Sequence, residues 1–156
     1  YLIGQGVSAK IQLGLNQQNK QYVALKKIKK LEFIKNVVTE KSIQKKLNGK
    51  AHLLPLLDSK ITEDNKGNPV IYFIYPLGLS SLGKLQEKKL PKTLFFRHLA
   101  HSLLKGCINM HQEQIVHLDL KEENCIVMKD ASLYIIDFGT AKELESAPWV
   151  NEYVHG

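Results

Sequence analysis

Two polar clusters bracket one short apolar run late in the chain. The first is His117-Leu118-Asp119-Leu120-Lys121-Glu122-Glu123-Asn124, and the second is Asp137-Phe138-Gly139. Between them lies Leu133-Tyr134-Ile135-Ile136. A short apolar run bounded by polar residues reads as a buried strand. The fold must therefore hold two acids, an amide and a lysine at the mouth of a strand pair. Oxygen donors of that kind suit magnesium. A carboxylate can orient an attacking hydroxyl and a cation can lie against a phosphate, which together are the needs of phosphoryl transfer.

The rest of the chain supplies a scaffold for that mouth. Ile11, Leu13 and Leu15 alternate, Asn16 to Lys20 form a polar turn, and Tyr22 to Ile28 alternate again, so residues 1–28 are predicted as strands. At period two, Ala24 and Lys26 share a face and Lys27 points away. Residues 32–48 are predicted as a helix with Val37, Glu40, Ile43, Gln44 and Leu47 on one face, ending near Asn48-Gly49. A carboxylate in an apolar stripe is costly unless a cation meets it, and Lys26 is the natural partner for Glu40. Leu53 to Leu57 and Val70 to Tyr75 are predicted as strands, with Lys60 to Asn68 as the turn between them. Pro76-Leu77-Gly78 breaks the pattern, and Ser80 to Lys88 is predicted as a short helix. Thr93 to His111 is the longest helical signal. Its rows Phe95, Leu99, Leu103, Cys107 and Phe96, Ala100, Leu104, Ile108 form a wide apolar face that is expected to be heavily buried.

Composition narrows the classes. The formal charge is +7, but residues 1–60 hold 12 lysines and 3 acids, for +9, and the remainder carries −2. A basic half can attract nucleic acid or acidic lipid. Arg97 is the only arginine and no aromatic–basic interleaving is present, so no nucleic acid partner is expected. No run is long and apolar enough to span a bilayer, so no membrane segment is expected. Cys107 falls in a helical pattern and Cys125 enters a strand, so both read as core residues rather than a disulfide. An intracellular, cytoplasmic setting fits that reading. Nothing in the sequence sets an oligomeric state.

Four segments in order resemble the eukaryotic-type protein kinases, serine/threonine class. Ile3-Gly4-Gln5-Gly6-Val7-Ser8-Ala9-Lys10-Ile11 resembles the glycine-rich loop, with Ala9 in place of the third glycine. Val23-Ala24-Leu25-Lys26 resembles the lysine strand, and Glu40 stands where the family's helical glutamate pairs with it. Residues 117–124 resemble the catalytic loop, and residues 137–139 the DFG segment. The resemblance implies an α+β, protein-kinase-like fold: an antiparallel N-lobe sheet with its αC helix, then the first part of a mainly helical C-lobe. It implies one incomplete domain over 1–156, with an N-lobe at 1–75, a hinge at 76–79 and a partial C-lobe at 80–156. The cofactors it implies are ATP and Mg2+, and the partner is a protein substrate accepting phosphate on Ser or Thr.

Roles follow from the same resemblance. Ile3, Gly4, Gln5, Gly6, Val7, Ser8 and Ala9 would close over the triphosphate. Ile11, Ala24 and Ile126 would form the base slot. Lys26, held by Glu40, would neutralise phosphates. Asp119 would orient and finally deprotonate the hydroxyl, Lys121 would lie against the γ-phosphate, and Asn124 and Asp137 would hold magnesium. His117 and Phe138 would pack in an internal stack.

Besides Ala9, the sequence departs from the family at three places. Leu118 replaces an arginine that commonly pairs with an activation-loop phosphate, so that ordering contact is unavailable. Gln44 stands where the stack is usually apolar. After Gly139, residues 140–156 resemble an activation segment, and the helices that dock a peptide substrate do not follow. The chain is therefore expected to be a piece of a longer reading frame, inactive alone, with its long helix missing some of its cover. The alternative is a pseudokinase or nucleotide-binding scaffold that regulates a partner. Lys26, Asp119 and Asp137 are all present, which favours the enzyme. A small-molecule kinase of related fold and a basic nucleic-acid module are the weaker readings.

Overall fold

The computed structural model describes residues 1–6, 9–28, 31–86 and 93–144. Its first layer is a five-stranded antiparallel sheet. The strands are β1 (Leu2–Gln5), β2 (Lys10–Leu15), β3 (Tyr22–Ile28), β4 (Asp58–Glu63) and β5 (Pro69–Pro76), in the order β1-β2-β3-β5-β4. The register places Gly4 beside Ile11, Ile11 beside Lys26, and Lys26 beside Phe73. Directly paired residues share a face, so a slip of one residue would turn Lys26 to solvent.

Helix α1 (Leu31–Leu47) packs on that same face, through Val37 against Ile28, Ile71, Phe73 and Tyr75. All five residues of its expected stripe, Val37, Glu40, Ile43, Gln44 and Leu47, are buried. Further along, Ile43 and Leu47 join Leu53, Met110, Ile115, Ile135 and Phe138 in a second cluster. The helix thus shares its apolar stripe between the sheet and the C-terminal half. Each fully buried large side chain in such a cluster contributes roughly 1.5–3 kcal/mol.

The C-terminal half is built on β6 (Ser80–Ser81), α2 (Leu82–Gln86), α3 (Thr93–Gln112), β7 (Ile115–Val116), β8 (Cys125–Val127), β9 (Leu133–Ile135) and β10 (Lys142–Glu143). Strands β6, β8 and β9 form one small sheet, and β7 pairs with β10. The loop after α1 ties the halves together. Asn109 donates to the Ala51 carbonyl at 2.9 Å, Lys50 pairs with Glu113, and Leu53 bridges Ile135. Lys46, in the last turn of α1, pairs with Glu143 on β10.

Four expectations need correction. Leu53 to Leu57 is not a strand; the pairing strand is the more polar Asp58–Glu63. Pro55 has no N–H to give a ladder, and Leu53 and Leu54 are buried as loop anchors in two different clusters. The turn shrinks to Asp64–Asn68, where the Asp64 carboxylate accepts the N–H groups of Lys66 and Asn68 and Gly67 takes a positive φ. Helix α3 buries one face only: of the first expected row Leu99 is buried and Phe95, Leu103 and Cys107 are half-buried, and the second row is exposed. Leu99, Ser102 and Met110 are inside, while Phe96, Leu104 and Ile108 are 44%, 64% and 55% exposed. Among the described residues, β7, β8 and β9 supply cover for one face and nothing covers the other. The expected short helix begins at Leu82 rather than Ser80, and Glu87 and Lys88 lie outside the described residues.

Candidate active site

Lys26 is the centre of the site. It is on β3, 7% exposed, with its ammonium 2.6 Å from Glu40 Oε1 and 2.7 Å from Asp137 Oδ1. Helix α1 brings Glu40 because the 3.6-residue period puts it on the buried stripe. The turn after β9 brings Asp137, whose backbone is left-handed at φ 64°. Burial opposes the Lys26 charge, but Glu40 and then Asp137 outweigh it and hold the ammonium above the ordinary lysine value. Burial also raises Glu40, against the pull of Lys26. Asp137 keeps a side chain 41% exposed, so one of its oxygens is left for a ligand.

Asp119 lies at the open side. Lys121 donates to both its carboxylate oxygens, at 2.9 and 2.7 Å. The Asn124 amide donates to the Asp119 carbonyl at 2.9 Å and to its carboxylate at 3.0 Å. The Lys121 hydrogen bond holds the Asp119 carboxyl below the usual carboxylate range, against desolvation and with help from the Lys121 charge and the Asn124 amide. The two acids are fastened to one frame by the backbone, since Ile136 N–H donates to the Asn124 carbonyl at 2.9 Å.

His117 knits the frame further. Its Nδ1 accepts the Asp119 N–H at 3.3 Å, so Nε2 carries the proton and donates to the Ile136 carbonyl at 2.9 Å. Its ring lies 5.3 Å from that of Phe138, and Thr140 Oγ1 donates to its carbonyl. Leu118, between two structured neighbours, is forced to φ 62° and is 62% exposed.

Ile11 and Ala24 stand on the face that carries Lys26, and each is half-buried. Ile3 is 41% exposed at the rim, and Gln5 and Gly6 are exposed beside it. The Gly6 N–H bonds the Ala9 carbonyl at 2.9 Å across the loop tip. Val7 and Ser8 lie outside the described residues. Ile126 is half-buried on the opposite wall and packs on the connecting segment so closely that a Cβ at Gly78 would fall 2.2 Å from its Cγ2. The structure thus brings Lys26, Glu40 and Asp137 into contact, and Asp119, Lys121 and Asn124 into a second contact set.

A metal fits this donor set in one way. Asn124 and Asp137 offer hard oxygens, and the Asn124 amide nitrogen is already committed to Asp119, so its oxygen is the atom left for a cation. Among the described residues no group of three or more His, Cys, Asp or Glu side chains could hold an ion. A divalent cation here needs oxygens from a bound phosphate as well.

Tyr75 is a site residue that sequence reasoning passed over. It stands opposite Ala24 on β5, 8% exposed, with a hydroxyl that has no hydrogen-bond partner among the described residues. Burial raises its pKa, and the charges of Glu40 and Asp137 raise it further. Its signal was register: period two in β5 puts Tyr75 on the face of Phe73, beside Lys26.

Known proteins resemble this chain along nearly its whole length. A family profile described as protein kinase domain matches residues 1–155. The chain is 31% identical over 159 residues to the serine/threonine-protein kinase ICK of Rattus norvegicus, covering 97% of this chain and 24% of that protein. It is 30% identical over 159 residues to the serine/threonine-protein kinase MAK of Homo sapiens, with the same coverage. It is 29% identical over 154 residues to the cyclin-dependent kinase F-4 of Oryza sativa subsp. japonica, covering 97% of this chain and 33% of that protein. The chain spans a quarter to a third of the length of these relatives. With an α+β architecture, an antiparallel five-stranded sheet and a family match along its length, this chain belongs to the protein kinase domain family.

Proposed function

We propose that the chain is the phosphate-handling part of an ATP- and Mg2+-dependent serine/threonine protein kinase. Residues 1–75 form its N-lobe, 76–79 the hinge and 80–156 part of its C-lobe. The observation that carries the reading is the shared contact of Lys26 with Glu40 and Asp137, set beside an Asp119 held by Lys121 and Asn124. Two glycines add support. Neither Gly4 nor Gly6 has a positive φ or a crowded Cβ position, so the fold alone does not demand glycine there. Backbone that must approach phosphate oxygens does.

In the proposed reaction Asp119 orients the Ser or Thr hydroxyl and takes its proton as the oxygen–phosphorus bond forms. The bond from the γ-phosphorus to its bridging oxygen breaks, and ADP leaves. Lys121 turns from Asp119 to the γ-phosphate, and Lys26 turns from Asp137 to the inner phosphates while Glu40 keeps its position. Asn124 and Asp137 would hold magnesium, which supplies charge neutralisation of the phosphates when bound. The free cysteines, Cys107 and Cys125, accord with an intracellular, cytoplasmic setting.

The test is transfer of radiolabelled phosphate from ATP in the full protein, compared with Asp119→Asn. Transfer is expected to fall about 10²–10⁴-fold while nucleotide binding persists. Equal labelling of both proteins would remove Asp119 from this role. Binding without transfer in the parent protein would favour a nucleotide-binding scaffold.

A further inference from the structure

The outer face of the five-stranded sheet, away from α1, carries a row of charge that the cleft does not use. The register runs Lys10–Lys27–Tyr72–Lys60 straight across β2, β3, β5 and β4. Side chains paired this way share a face, and the Lys27 ammonium lies 5.2 Å over the Tyr72 ring. Lys10 and Lys60 are exposed. Among the described residues none of the three lysines is paired with a carboxylate. The acid on β4 that shares this face, Asp58, accepts the Ser59 N–H at 2.7 Å. Lys10 and Lys27 are directly opposite, and like charges so placed repel.

One step along the strands the face changes character. The next row is Gln12–Leu25–Ile74–Asp58, with Leu25 and Ile74 half-buried at its centre. Leu25 leans over Gly14, where a Cβ would come within 2.9 Å of its Cδ1. A basic row therefore runs beside an apolar ridge, two residues or about 6.6 Å away along the strands. That is the spacing of alternate side chains on an extended peptide.

We propose that this outer face docks an extended segment of a partner protein whose acidic and apolar side chains alternate. Charge complementarity selects the acids, since residues 1–60 carry +9. Nucleic acid is the poorer occupant. The row has no arginine fork, and its aromatic ring is already covered by Lys27, which leaves that face unavailable to a base. The proposal does not depend on the phosphoryl-transfer reading.

The experiment uses the full protein and a short fluorescein-labelled peptide of Glu-Gln-Leu-Gln repeats, followed by anisotropy. A peptide with Gln in place of Glu is the neutral control. The double variant Lys10→Glu, Lys60→Glu is expected to weaken the acidic peptide at least about tenfold. Its Tm should rise, because Lys10→Glu turns a repelling cross-strand pair into an attracting one. Loss of binding with a gain in stability cannot come from unfolding. The control variant Lys41→Glu, Lys45→Glu reverses two exposed lysines on α1 and should leave binding unchanged. Equal loss in both variants, no loss in the first, or tighter binding to oligothymidine or phosphatidylserine vesicles would overturn the proposal.

Discussion

Two lysine–carboxylate contacts of nearly equal length stand on either side of the cleft. Lys26 meets Glu40 at 2.6 Å with side chains 9% and 4% exposed. Lys121 meets Asp119 at 2.7 Å with side chains 48% and 39% exposed. Distance does not separate them, but solvent does. At about 4 Å the attraction of two unit charges is roughly 1 kcal/mol in water and several times that near a protein interior. The inner pair cannot lose a partner without leaving a buried charge behind. The outer pair can, because water replaces whichever group departs. A transfer site needs both kinds of contact: a fixed one to set geometry, and an exchangeable one whose lysine is free to follow a phosphate.

The sharpest way to break this contrast is Lys26→Met. Removing one partner of a buried pair costs about 3–5 kcal/mol, so thermal unfolding of the full protein should shift strongly downward. The sign of the pH dependence follows from Glu40. Its folded pKa is already raised by burial, and without Lys26 nothing opposes that rise. The penalty is absent below the unfolded glutamate value of about 4.3 and grows as pH climbs above it. The gap between parent and variant should widen from pH 4 to pH 7. A gap that is constant across that range would mean that Glu40 does not carry the charge assigned to it.

Lys121→Ala tests the exposed side. The melting temperature should not move. The acidic limb of kcat/KM should, because the hydrogen bond from Lys121 is the largest cause of the lowered Asp119 pKa. In the proposed reaction Asp119 acts ionised, so activity would be lost as pH falls through its folded pKa. Without Lys121 that pKa returns upward and the limb moves to higher pH, a free-enzyme property. A limb that stays in place would detach Asp119 from the proton transfer.

The same contrast explains what could be read from the sequence. Lys26 and Glu40 were legible because two periods had to meet: period two gave Lys26 its face, and period 3.6 set a lone carboxylate in an apolar stripe. The antiparallel N-lobe sheet, and the roles of Asp119 and Asp137, came instead from the resemblance to the kinase family, which no periodicity supplies. Leu53 to Leu57 misled because apolar content alone does not distinguish a strand from a packed loop. Pro55 was the warning, and polar Asp58–Glu63 made the edge strand that a charged, alternating segment should make. Helix α3 showed two apolar rows, yet a row records only capacity for burial, and what covers it lies elsewhere in the fold. Tyr75 was invisible because a tyrosine alternating in a strand looks like ordinary core. Only its partner in register, Ala24, places it at the slot.

The smallest expected effect sharpens the buried side. Ser102 on α3 is 0% exposed and its hydroxyl has no hydrogen-bond partner among the described residues. The Lys26–Glu40 pair shows a polar group that burial can tolerate because it is matched. Ser102 shows one that is not. A hydroxyl taken from water without a partner costs about 1–3 kcal/mol, and removing it by Ser102→Ala leaves no unpaired group in its place. Alanine also has the higher helix propensity. Ser102→Ala should therefore raise the unfolding free energy by about 1 kcal/mol with phosphoryl transfer unchanged. A clear loss of stability would mean that the Ser102 hydroxyl has a partner in solution, and that the interior around α3 is less dry than the cleft around Glu40.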